Sequence, residues 1–148
     1  MRIEIDQSGK IEQTNKPTVI AFSNGKSGTI LTTSIEKQKL QKEFRRIGKT
    51  QAFVYQTFNV LIYLLIRKYI SKLDLIIIDR EYPGKENQIK DHICALFVKN
   101  GIKVDRKIIQ FKEIGKSSKA HNLVWETFRN RKSGIKVNAR DILSVLYE

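Results

Sequence analysis

Leu73-Asp74-Leu75-Ile76-Ile77-Ile78-Asp79 is the stretch on which the fold turns. From Leu75 to Ile78 no polar residue interrupts the run, so the period-two alternation of a half-solvated strand is missing. Such a run reads as a central strand covered on both faces, and it ends in a carboxylate, Asp79. Upstream, about Gln51 to Ile70 is apolar on most sides (Phe53, Val54, Phe58, Val60, Leu61, Ile62, Leu64, Leu65), which predicts a helix largely buried against a sheet. Downstream of Pro83-Gly84, Ile89, Ile93, Leu96 and Phe97 stripe a helix over about Glu86 to Lys99, closed by Asn100-Gly101. A strand over about Arg106 to Lys112 follows, with Ile108, Ile109 and Phe111 as its apolar content. A helix capped by Ser117 or Ser118 then runs to about Arg131, and Asn138 caps a short last one carrying Leu143, Val145, Leu146 and Tyr147.

The N-terminal part has a different grammar. Residues 2 to 13 alternate in polarity and predict a strand kinked at Ser8-Gly9, with Asp6 on the face opposite Ile3 and Ile5. After the turn at Asn15-Lys16-Pro17, the β-branched and aromatic run Thr18-Val19-Ile20-Ala21-Phe22 leads into Asn24-Gly25, a strong hairpin signal because both residues tolerate positive φ. Thr29 to Thr33 returns as the third strand of a meander. Ser34 is placed to cap a helix over 35–47, where Leu40, Phe44 and Ile47 share a face and Gly48 stops the run. No repeat, linker or low-complexity segment interrupts the chain, so residues 1–148 are read as one domain.

Charge narrows the partners. Lys and Arg number 28 against 15 Asp and Glu, a net charge of +13. A field of that sign concentrates polyanions, and nucleic acid is the commonest in a cell; an acidic or ribosomal scaffold partner and an anionic membrane surface are the rival readings. The apolar run Val60–Ile66 is far shorter than the ~20 residues that a membrane-spanning helix needs, and Met1-Arg2-Ile3-Glu4-Ile5-Asp6 has no signal-peptide core. With Cys94 as the one cysteine, no intramolecular disulfide can form, and a reducing, cytoplasmic setting is expected. Cys94 lies among Ile93, Ala95 and Leu96, where a small core residue is the ordinary reading. Zinc spacings, phosphate-binding GxxxxGK[ST] loops and GxSxG elbows are absent from the sequence.

The order of elements (three strands, helix, strand, helix, strand, helix, with a helical insertion before the fourth strand and a short C-terminal addition) resembles the RNase H-like superfamily over about residues 1–131. That superfamily includes ribonuclease H, Holliday-junction resolvases, Piwi and UvrC-type nucleases and retroviral integrases. The resemblance implies an α/β fold: a mixed five-stranded sheet, an antiparallel meander plus parallel strands, flanked by helices. It also implies a set of site residues. Ile5-Asp6-Gln7-Ser8-Gly9 looks like the family's first-strand aspartate followed by small residues, and Asp79 stands where the fourth strand ends in a second. His121, in Ser118-Lys119-Ala120-His121, occupies the place of the last ligand near the start of the final family helix. Glu36 matches a further carboxylate on the helix after the third strand, and Glu81 competes with it.

Such a constellation would hold Mg2+ or Mn2+, because phosphodiester cleavage develops negative charge that divalent ions stabilise, and carboxylate oxygens suit both ions. Each residue also has an ordinary structural reading. Asp6 could be the polar face of an edge strand, Asp79 a turn former before Pro83-Gly84, and His121 a rim histidine near Trp125 and Phe128. His92, beside Asp91 on its helix, is read as a boundary residue rather than a ligand.

Lys85, Lys116 and Lys119 flank the acids and are the expected grips on backbone phosphates, with the helix start at Ser117-Ser118 adding free N–H groups. Lys37, Lys39, Lys42, Arg45, Arg46 and Lys49 line another helix, and Tyr82 is placed either to stack a base or to pack. The leading expectation is a metal-dependent endonuclease acting on DNA or RNA by backbone and shape. The alternatives are an RNase H-like module that binds nucleic acid without cleaving it, and a scaffolding protein. Cleaving a junction two-fold symmetrically would require a dimer.

Overall fold

The computed structural model describes every residue except Ser117. Three strands, β1 (Arg2–Ser8), β2 (Thr18–Asn24) and β3 (Lys26–Thr32), form the antiparallel meander. They lead through α1 (Ser34–Arg46) and α2 (Phe53–Ile66) to β4 (Leu75–Asp79). The chain continues as α3 (Glu86–Lys99), β5 (Ile109–Lys112), α4 (Lys119–Asn130), β6 (Ile135–Lys136) and α5 (Ala139–Tyr147). The sheet order is β5-β4-β1-β2-β3-β6, with β4 parallel to both β1 and β5. This mixed α/β sheet flanked by five helices is consistent with an RNase H-like fold. Here it has six strands rather than five, because Ile135 and Lys136 add a short parallel edge beside Ile30 and Leu31.

Several local expectations change. The first strand stops at Ser8 instead of running to residue 13, since Gly9 takes φ +77 and a Cβ there would collide with the Pro17 carbonyl oxygen. Thr33, not Ser34, caps α1, its Oγ1 accepting from Glu36 N–H. The long apolar helix is α2 bracketed by 3-10 turns at Thr50–Ala52 and Arg67–Lys72. Ser118 caps α4 through the Ala120 N–H; the alternative cap, Ser117, lies outside the described residues. Asn138 and Asp141 form a capping box on α5.

Strand parity divides the sheet into two faces. Ile3, Ile5, Ile20, Phe22, Ile30, Ile76 and Ile78 point into one large core, shared with Leu40 and Phe44 of α1, Phe58 and Leu61 of α2, Ile93 and Phe97 of α3, and Ile142 of α5. The other face carries a small core of Val19, Ala21 and Leu31 beneath Val124 of α4. Among the described residues no helix is long and apolar enough to cross a membrane.

Candidate metal centre

The register of β1 on β4 builds the site. Ile3 pairs with Ile76 and Ile5 with Ile78, in parallel. One step further along, Asp6 and Asp79 stand side by side on the face opposite those isoleucines, because side chains alternate in a strand. The isoleucines thus anchor the acids: burying them in the large core leaves the aspartates no choice of face.

Asp6 is buried, at 4% exposure. Its Oδ1 accepts from Gln7 N–H at 2.8 Å, and its Oδ2 lies 3.0 Å from Nδ1 of His121. Asp79 Oδ1 accepts from Ile114 N–H at 2.7 Å, which ties the β5–α4 connection back to the end of β4. Glu81, two residues on, turns toward both: carboxylate oxygens of Asp6, Asp79 and Glu81 all lie within 4.8 Å of one another.

Three carboxylates this close resist ionising together. Burial is the main cause that pushes Glu81 up, to about 7, helped by its hydrogen bond with Asp79 and the charges of Asp79 and Asp6. Asp6 is raised as well, chiefly by burial and then by Asp79, against the Gln7 N–H and His121, which favour its charged form. A cluster with raised carboxyls is short of positive charge. Two oxygens on one Mg2+ sit about 3.0 Å apart when adjacent and about 4.2 Å when opposite at ~2.1 Å per bond, so these three carboxylates are near enough for a hard divalent ion to draw them together.

His121 is brought to the cluster as Asp6's partner. If Nδ1 donates to Asp6, Nε2 carries the lone pair and is the nitrogen left for an ion. Glu36 is elsewhere. Its Oε1 accepts from Ala139 N–H at 2.9 Å, capping α5, and its Oε2 pairs with Lys39 at 3.0 Å, so Glu36 fastens α1 to α5, and Glu81 rather than Glu36 is the carboxylate grouped with Asp6 and Asp79. Those same two partners hold Glu36 below the usual carboxylate range.

The cations divide similarly. Lys116, on the connection into α4, and Lys119, the first residue of that helix, are exposed next to the turn that carries His121. Lys85 reaches away, its ammonium 5.8 Å from the centre of the Tyr55 ring on α2. Nearer the acids are two cations that sequence reasoning did not single out. Lys10 opposes the rise of Glu81, and Lys112 pairs in register with Asp79. Position β5–β4 parity was the signal for Lys112; Lys10 needed the loop.

Tyr82 packs rather than stacks. It is buried against Tyr55 and Phe58, its hydroxyl accepting from Gln7 Nε2 and Ile11 N–H and donating to Glu12. Lys37 is likewise no part of a solvated face. It is fully buried, and its ammonium donates to the carbonyls of Lys10 (3.0 Å) and Gln13 (2.8 Å) and to Thr18 Oγ1 (3.0 Å). Lys37 and Tyr82 therefore hold the β1–β2 loop from two sides, directly behind Asp6 and Gln7. His92 bonds Asn59 across the α2–α3 contact, 2.8 Å from Nδ2 to Nδ1. Cys94 is half-buried against the core, with its thiol pushed up by burial.

Compared with known proteins, the chain matches no protein-family model, and no curated protein or solved structure matches it.

Proposed function

We propose that the protein is a divalent-metal-dependent nuclease of the RNase H-like superfamily, cleaving phosphodiester bonds of DNA or RNA. The observation that carries this reading is the convergence of Asp6, Asp79 and Glu81 at one end of two neighbouring parallel strands, on a protein of net charge +13. Asp6, Asp79 and Glu81 would hold Mg2+ or Mn2+, with His121 Nε2 as a further ligand. When bound, the ion stabilises the charge that develops on the scissile phosphate and leaving oxygen and lowers the pKa of attacking water. The chain's own residues supply position. Gln7 N–H and His121 orient Asp6, Ile114 N–H orients Asp79, and the Lys37 and Tyr82 contacts keep the loop behind them in place. Lys10, Lys112, Lys116 and Lys119 attract the phosphate backbone without reading bases.

The test is cleavage of a panel of single-stranded, duplex, hybrid and branched DNA and RNA with Mg2+ or Mn2+. Asp6→Asn and Asp79→Asn should each lose more than about 100-fold in rate, beyond the range typical of residues that merely orient a ligand. Variants that cleave as fast as the parent would end the proposal. Salt-sensitive binding with no metal-stimulated cleavage would leave a nucleic-acid-binding module.

A further inference from the structure

Among the described residues, five large apolar side chains are exposed: Ile35, Val98, Trp125, Ile135 and Tyr147. Of these, Trp125 alone is on α4, the helix beside the carboxylates, and it is 52% exposed. A helix turns about 100° per residue, so Trp125 stands one turn beyond His121 on nearly the same line, about 6 Å between Cβ atoms. Ala120, Val124 and Thr127 face the sheet. His121 touches Asp6 of β1, while the ring of Phe128 adjoins Gly9, just past the end of that strand. His121 and Phe128 thus border β1 on one flank of α4, and Trp125, about 40° further round the helix from His121, faces solvent beyond them.

The surroundings decide what such a ring meets. Lys119, Arg129, Arg131 and Lys132 are exposed on α4 and its exit, with Glu126 as the exposed acid on the helix. The Arg131 guanidinium lies 4.9 Å from the centre of the Phe128 ring. Leu123 and Phe128 are part-buried, so Trp125 has no exposed apolar neighbour on α4 with which to form a patch for a protein partner. A lone flat aromatic among cations is complementary to a nucleobase on a phosphate chain, where stacking supplies affinity without regard to sequence.

We propose that Trp125 is a stacking platform for an unpaired base of the strand whose phosphate lies at the carboxylates, which selects single-stranded or locally opened nucleic acid. This rests on the nucleic-acid-binding half of the proposed function and not on cleavage.

Trp125 is the chain's one tryptophan, so its emission reports directly on stacking. The experiment titrates metal-free protein at low salt with end-labelled oligo(dT) and with a blunt duplex of equal length, following protein emission and label anisotropy together. Oligo(dT) should quench the emission strongly as the anisotropy rises, and the duplex should bind with little quenching. Trp125→Ala should weaken oligo(dT) binding by about 5- to 150-fold, the range for losing one stacked base. Trp125→Phe should restore most of that affinity.

Binding with unchanged emission, or parent affinity in Trp125→Ala, overturns the platform. So does a blue shift with protein concentration alone, which would mean that a second copy covers the ring. Failure of both ligands to bind sinks the platform and the nucleic-acid reading together. Quenching without any metal-dependent cleavage would refute only the nuclease, and cleavage without quenching only the platform.

Discussion

The two faces of the sheet are built to different standards. On one, α1, α2, α3 and α5 close a continuous core in which Ile5, Phe44, Phe58 and Phe97 are almost wholly excluded from water. On the other, α4 packs over β2 and β1, and the β5 residues that share this face, Gln110 and Lys112, are exposed. The acids stand at the border between these zones. Asp6 is sheltered by His121 of α4, and Asp79 lies next to the exposed lysine of β5. Complete burial would make three carboxylates intolerably costly, and complete exposure would surround them with water and weaken their hold on an ion. A half-covered sheet offers the intermediate.

The sharpest way to probe the contrast is to damage the closed face. Phe97 is fully buried and packs edge-on against Tyr63, with ring centroids 4.8 Å apart. Phe97→Ala should cost about 3–5 kcal/mol, the usual toll of a large core deletion, measured by urea unfolding. If the cost were below about 1 kcal/mol, that face would not be the structural one.

Lys37 tests the seam between the faces, because it spans from α1 to the loop behind Asp6. Lys37→Met leaves two carbonyls and a hydroxyl without their donor, which predicts a loss of about 1–3 kcal/mol at neutral pH. Burial brings the folded-state pKa of Lys37 down from 10.5 to about 8, with Glu12 opposing the fall. Between those values the unfolded chain holds more protons at this position than the folded one, so stability from this group rises with pH. The gap between parent and variant should therefore widen from pH 8 to 10.5, by no more than about 1.4 kcal/mol per unit. A gap that narrowed over that window would show that the ammonium is held better than its burial implies.

How much of this was legible in the sequence follows from the physics of each element. The run Leu75–Ile78 announced a doubly covered strand, and the alternation around Asp6 announced its face. Period-two parity leaves Asp6 little freedom once one face is apolar, but that the two strands are neighbours, which brings the aspartates together, was implied only by the resemblance in element order. Glu36 was misplaced for the converse reason. A helix position one turn from Leu40 looks inward, but which partner it meets depends on α5, whose docking no local pattern encodes. Lys37 shares the Leu40–Phe44 stripe, three residues before Leu40, and that position was the available clue to its burial. Lysine is so rarely buried without a partner that the stripe alone does not imply it. Trp125 was visible only as a neighbour of His121; its exposure required the packing of α4. The two-residue β6 was too short to carry a pattern.

At the acidic border the expected effect is smaller and of opposite sign. Folded Glu81 titrates near 7 rather than at the ordinary 4.5, and Asp6 is also raised. Between those pH values the folded state holds more protons than the unfolded chain, so the metal-free protein should lose stability as pH rises from about 4.5 to 7. Asp79→Asn removes a charge that raises both neighbours while keeping an oxygen for the Ile114 N–H. Its Tm in chelator at pH 7.5 should lie above the parent's, and Mg2+ or Mn2+ should raise the parent's Tm but hardly the variant's. A variant less stable than the parent in chelator would mean that the acids are structural.

The least effect on stability belongs to the open face. Gln110→Ala and Lys112→Ala should each change unfolding free energy by less than about 0.5 kcal/mol, as exposed positions usually do. Lys112 should still matter for binding. If its ammonium neutralises one phosphate, its removal lowers the slope of log affinity against log salt by about 0.7 for a single strand or about 0.9 for duplex DNA. Gln110→Ala on the same strand and face should leave that slope unchanged. Equal slopes for both variants would place the strand's path away from β5, and then α4 alone would border the route to the acids.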